Sequence, residues 1–191
     1  MYKRQQQHDS TERFCGLGAE VQFGNPRFVD DHVVELDGKR FSAKAWIIST
    51  GSGPALPPVE GLSDLPYWTN ETVFSQRTLP ARLLVLGGGP IGLEMAQAFQ
   101  RLGSQVTVVE FMDQILGPED SDVAEILRGR LEAEGVKILS STKAVKAESN
   151  GSGVRLTVAP ATGEEETRFL EVEALLAVSY THLTLPTTPY V

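Results

Sequence analysis

The 191-residue chain has one cysteine, Cys15, so no internal disulfide framework can staple it; cysteine usage this sparse points to a reducing, cytoplasmic setting. Excess positive charge is also lacking. Lys and Arg number 17 against 25 Asp and Glu, a net charge of −8, which argues against a nucleic-acid binder and its basic face. Long apolar runs are absent too: Leu83–Leu86 is strand-sized, far short of the roughly 20 residues of a membrane-spanning helix. The opening MYKRQQQHDS has no apolar core of a signal peptide. The three histidines, His8, His32 and His182, have no metal-ligand spacing, so neither a metal site nor a catalytic residue is assigned. What is present, 41% hydrophobic and 22% charged residues, is enough to bury a core in an ordinary α/β protein.

Two rhythms divide the chain. Up to about Pro80, short β-rich runs at Glu20–Phe23, Phe28–Val29, Val33–Leu36 and Trp46–Thr50 alternate with turns at Gly24-Asn25-Pro26, Asp30-Asp31 and Asp37-Gly38. Pro54, Pro57, Pro58 and Pro66 mark an irregular connection. From Ala81 the pattern becomes strand, turn, helix, strand. Leu83–Leu86 reads as a buried strand, Gly92–Leu102 as a helix stopped by Gly103, and Val106–Val109 as the next strand. A second helix starts near Pro118–Ser121, with Val123, Ile126, Leu127 and Leu131 at helical spacing, and ends at Gly135. Val136–Leu139 follows, then hairpin strands at Ala144–Glu148 and Val154–Val158 around Asn150-Gly151, and finally Arg168–Val172 and Ala174–Val178.

The segment LLVLGGGPIGLEMAQAFQRLGSQVTVVE carries the chemistry. Gly87, Gly89 and Gly92 fill a G-x-G-x-x-G pattern, bracketed by a strand before and a helix and strand after. The first glycine allows a sharp turn off the strand, the second a close approach of a pyrophosphate, and the third close packing of helix on strand. Amides at the helix start, with the helix dipole behind them, suit a diphosphate. Glu110 ends the second strand 18 residues past Gly92, close to the spacing of an acid that accepts hydrogen bonds from ribose hydroxyls. A carboxylate there repels a 2′-phosphate, so NADH is favoured over NADPH. The plainer alternatives are a glycine loop without a ligand and a surface acid ending a strand.

GGGPIGLE, followed by VTVVE and EGVKI, resembles the inserted NAD domain of the flavin-dependent pyridine nucleotide-disulfide oxidoreductases. WIISTGSGPALPPVEGL is similar to the end of that family's first FAD-domain segment. HDSTERF, LGAEVQFGNPRFVDDHVVEL and TNETVF resemble the branch containing mercuric reductase and dihydrolipoamide dehydrogenase. The resemblance implies an α/β fold: a Rossmann-like NAD-binding domain over 81–178, and a partial, β-rich FAD-binding segment over 8–80. It implies that Thr50, Gly51 and Ser52 lie beside FAD, and that Gly87, Gly89, Pro90, Ile91 and Gly92 line the NAD diphosphate site. It further places Glu94 near the nicotinamide, Glu110 at the ribose and Ala144 near the adenine. Pro26 stands where the family has Gly or Ala with its backbone near the FAD adenine, and proline has no amide to donate.

On this resemblance the chain is expected to be a fragment of an FAD-dependent NAD(P)H oxidoreductase, homodimeric when intact, passing hydride from nicotinamide to flavin and on to a disulfide or metal-ion acceptor. Its partners are small-molecule cofactors, NAD and FAD, with neither nucleic acid nor membrane. The chain has no upstream G-x-G-x-x-G and no C-x-x-x-x-C, so it is expected to be inactive alone. Residues 1–7 and the Thr/Pro-rich 179–191 read as non-native ends. The alternatives are an NADH oxidase or ferredoxin-reductase type of flavoprotein, or a non-catalytic NAD-binding module.

Overall fold

The computed structural model describes residues 10–49, 56–151, 153–162 and 166–178. Two compact units divide the chain, Met1–Gly51 and Ser52–Val191.

In the first unit, α1 (Thr11–Gly16) is a single short helix whose start is capped by Ser10, its Oγ accepting from the Arg13 amide at 3.3 Å. An antiparallel sheet follows, made of β1 (Arg27–Phe28), β2 (Val33–Leu36) and β3 (Lys39–Ser42). β2 pairs with β3 through a tight turn at Asp37 and Gly38, both at positive φ (48° and 79°). Two expected strands do not form. Glu20–Phe23 has no strand pairing, and neither do the described residues of Trp46–Thr50. A strand exists only with a hydrogen-bonded neighbour; here Ile47 is 91% exposed and Ile48 63% exposed, apolar β-formers with no strand partner among the described residues. The helix at Thr11–Gly16 was not expected, since it lacks apolar periodicity.

The second unit is built on a four-stranded parallel sheet, order β10-β4-β5-β6: β4 (Arg82–Leu86), β5 (Gln105–Val109), β6 (Lys137–Leu139) and β10 (Ala174–Ala177). Strands buried on both faces read as continuous apolar runs, and Leu83–Leu86 and Ala174–Ala177 do. Their side chains alternate between two cores. Leu83 and Val85 face α2 (Pro90–Leu102) and α3 (Ser121–Ala133), with Leu93, Ala96, Ala124 and Leu131. Leu84 and Leu86 face an antiparallel sheet of β7 (Thr142–Ser149), β8 (Val154–Pro160) and β9 (Arg168–Val172), meeting Ala147, Leu156 and Val158. The result is three layers: helices, parallel sheet, antiparallel sheet.

Trp68 closes the β10 edge. Its amide donates to Leu175 at 2.7 Å and its carbonyl accepts from Ala177 at 2.8 Å, so the edge has no free hydrogen-bonding row there. In α3 the buried side is Ala124 and Leu131, with Leu127 packed against the core; Val123 and Ile126, expected on that side, are 52% and 75% exposed. Among the described residues no helix is long and apolar enough to cross a membrane.

Candidate functional site

The site lies where the parallel strands end. β4 delivers the chain into Gly87, whose φ of 111° is a conformation that side-chain-bearing residues rarely adopt. The Gly87 amide donates to the Val109 carbonyl at 2.9 Å, continuing the β4–β5 ladder by one bond before the chain turns away. Gly89 is the N-cap of α2 and has no side chain to cap it; Pro90 takes the first helical position, where a missing N–H costs nothing. The first-turn amides of a helix have no intrahelical partner, and here none is taken by a capping side chain. A β-carbon on Gly89 would meet nothing within 4 Å, so open space adjoins this helix start. A β-carbon on Gly92 would instead run into the Gly87 carbonyl oxygen and lie 3.2 Å from a Val178 methyl. Only glycine permits the helix to come this close to the strand.

Glu110 leaves β5 beside this turn, half-buried. Its Oε2 accepts from the Gly88 amide at 2.6 Å and its Oε1 from the Met112 amide at 2.8 Å. The Glu110 backbone is fixed as well: its amide donates to Leu139 at 2.8 Å and its carbonyl accepts from Thr142 at 2.9 Å. Each carboxylate oxygen keeps a lone pair for a further donor, so the group is an oriented, two-oxygen hydrogen-bond acceptor. Together, a row of amides beside open space and a fixed carboxylate one strand away can hold an anion and a pair of hydroxyls.

Of the residues singled out in the sequence, Gly87, Gly89, Pro90, Ile91, Gly92 and Glu110 come together at this edge. Glu94 is exposed on α2, one turn in from its start. Ala144 is half-buried on β7, two residues beyond the Thr142 that binds the Glu110 carbonyl, and it packs against the core under the antiparallel sheet. Thr50, Gly51 and Ser52 lie outside the described residues. Pro26 lines a groove of about 380 Å³ in the first unit, with Val34, Leu36, Phe41 and Trp46. None of the glycine-turn residues lines that groove. Among the described residues no group of three or more His, Cys, Asp or Glu could hold a metal ion.

Sequence reasoning missed four contributors. Gly88 is squeezed between Glu110 and Ile115, and the Leu116 amide donates to its carbonyl at 2.9 Å. Met112 contributes an amide to Glu110. The triple glycine hinted at Gly88; nothing in the letters marks a backbone donor at Met112 or Leu116.

The chain matches the family described as pyridine nucleotide-disulphide oxidoreductase over residues 4–179. It is 35% identical to a dihydrolipoyl dehydrogenase of Thermus scotoductus over 165 residues, 85% of this chain and 35% of that protein. A mercuric reductase of Lysinibacillus sphaericus is 32% identical over 151 residues, 77% of this chain and 28% of that protein. Among solved structures, the HOCl-induced flavoprotein disulfide reductase RclA of Escherichia coli superposes with a TM-score of 0.71 at 28% identity, over 84% of this chain and 36% of that one. The chain thus spans about a third of the length of the curated relatives it matches. With nearly its whole length matched and two curated relatives above 30% identity, the chain belongs to the pyridine nucleotide-disulphide oxidoreductase family.

Proposed function

We propose that this chain binds NADH across the carboxyl end of its parallel sheet, as the hydride-donor part of an FAD-dependent oxidoreductase acting on a disulfide or metal-ion acceptor. One observation carries the reading: the uncapped start of α2 at Gly89 opens beside a Glu110 carboxylate held 2.6 Å from the Gly88 amide. Amides of the first turn of α2 would receive the diphosphate, with the helix dipole behind them. The Glu110 oxygens would accept from the adenosine ribose hydroxyls. A 2′-phosphate would set a second anion against that carboxylate, which favours NADH over NADPH. Bound NADH supplies the hydride; these residues bind and orient it.

The flavin part rests on family membership and on the Thr50-Gly51-Ser52 motif of the sequence. Pro26 offers no amide there, so no step through FAD is derived from this chain. The acceptor follows the relatives, which are a dihydrolipoyl dehydrogenase and mercuric reductases by name.

The test is a titration of NADH and NADPH into the full chain, followed by nicotinamide fluorescence. NADH is expected to bind at least about tenfold more tightly, equivalent to about 1.4 kcal/mol. Equal affinities contradict the role of Glu110, and binding of neither contradicts the site.

A further inference from the structure

Building on the reading of this edge as an NADH site, we propose that residues 110–116 form a brace that holds the glycine turn in its ligand-receiving shape. Glu110 and Leu116 act as positioning residues through Gly88. Two hydrogen bonds pin that residue from opposite sides: its amide donates to Glu110 Oε2 at 2.6 Å, and its carbonyl accepts from the Leu116 amide at 2.9 Å. The amide belongs to the peptide plane before Gly88 and the carbonyl to the plane after it, so both planes are fixed. The direction of the amides that follow is set by those planes.

Packing closes the third side. A methyl on Gly88 would lie 3.1 Å from Glu110 Oε2 and 3.1 Å from Ile115 Cγ2. Ile115 is 1% exposed within the helix-side core, so it cannot retreat without opening that core. The brace is itself tied down. Met112 donates its amide to Glu110 Oε1 at 2.8 Å and accepts from the Ser141 amide at 2.7 Å. Leu116 and Ser141 both hold positive φ (51° and 46°) without being glycine. Such conformations persist only where the surroundings dictate them, and here each of the two residues donates its amide within this network.

A carboxylate that serves only to recognise ribose has no need to reach the turn; this one is bound to it. Glu110 therefore affects the diphosphate half of the ligand as well as the ribose. Charge alone predicts the opposite sign, because deleting a carboxylate near an anionic ligand strengthens binding. Weakened binding is thus the signature of lost positioning.

The measurement uses the full chain with NADH and with an NADH analogue lacking both hydroxyls of the adenosine ribose. Glu110→Ala is expected to weaken the analogue by about tenfold or more, the range of a lost charge-assisted hydrogen bond. Glu110→Gln, which keeps an acceptor oxygen for the Gly88 amide, is expected to recover most of that loss. Gly88→Ala, whose methyl presses on the brace, is expected to weaken both ligands alike. Unchanged analogue affinity in Glu110→Ala overturns the brace, and if that variant does not fold, unchanged analogue affinity in Gly88→Ala overturns it equally. Failure of the unsubstituted chain to bind NADH overturns instead the site reading on which the brace rests.

Discussion

Four glycines within six positions, Gly87 to Gly92, do four different things, and substitution separates them. A methyl at Gly92 strikes the Gly87 carbonyl oxygen, which is backbone and cannot swing aside. Gly92→Ala is therefore expected to destabilise the fold by about 2 kcal/mol or more, read as a lowered urea midpoint at unchanged slope. A stability equal to the unsubstituted chain contradicts the close helix–strand approach. Gly87 and Gly92 were legible from the sequence because their tasks are local: one turn and one crossing, each specified by its spacing from the strand. Gly88 was not, because its neighbours Glu110, Ile115 and Leu116 arrive from more than 20 residues away. Leu116 is the harder case. A leucine at φ 51° contradicts its own propensity; its amide is bonded to the Gly88 carbonyl and its own carbonyl accepts from the Glu119 amide at 2.7 Å, so tertiary and local bonds together hold it there.

At the scale of elements, α3 shows how apolar letters can mislead. Val123, Ile126, Leu127 and Leu131 suggest one stripe, yet Val123 and Ile126 face solvent while small Ala124 meets the core with Ile115. Periodicity counts apolar residues and overlooks that a tight crossing prefers alanine. Ile126→Lys is accordingly expected to change stability by no more than about 0.5 kcal/mol, whereas Ala124→Leu costs about 1–3 kcal/mol by overpacking; chemical denaturation of both variants distinguishes the two faces, and the reverse order contradicts the structure. The end of α3 is clamped to α2. The Glu134 carboxylate takes two bonds from Arg101, at 2.7 and 2.8 Å, one from Arg130 at 2.7 Å, and both from Gln97 at 3.2 Å. Hydrogen bonding from Arg101 first, and from Arg130 second, holds its pKa down at about 2, from an ordinary 4.5. A folded-state value below the unfolded one stabilises fully above about pH 4.5 and loses that contribution as pH falls toward 2. Glu134→Gln is expected to lower the urea midpoint at pH 7, with the gap from the unsubstituted chain closing between pH 4.5 and 2. A gap independent of pH contradicts the clamp. Pairing of strands also explains what the sequence could not show in the first unit: β2 and β3 find each other through a local turn, whereas the run at Trp46 has β-forming residues and no described neighbour to pair with.

Across the whole molecule, burial is unevenly shared. Among the described residues of the first unit only Val34 and Leu36 are buried hydrophobics, while the second unit carries two continuous cores on either face of its sheet. A unit with so little buried apolar area opens at low free-energy cost. Trypsin is expected to cut first at exposed Arg13, Arg27, Lys39, Arg40 or Lys44, leaving a product that starts no later than Ala45, keeps the whole second unit and is protected further by NADH. Equal cleavage rates in the two units contradict this division. The nucleotide edge sits wholly on the better-packed unit, which gives the central claim a clean test. A methyl on Gly89 meets no protein atom within 4 Å, so Gly89→Ala leaves the fold intact while filling the space beside the helix start. The measurement is calorimetric titration of NADH into the full chain and into Gly89→Ala, with thermal melts of both. Matching melts with NADH affinity reduced about 30-fold or more, roughly 2 kcal/mol, are predicted; matching melts with unchanged affinity, or no NADH binding to the unsubstituted chain, contradict the account.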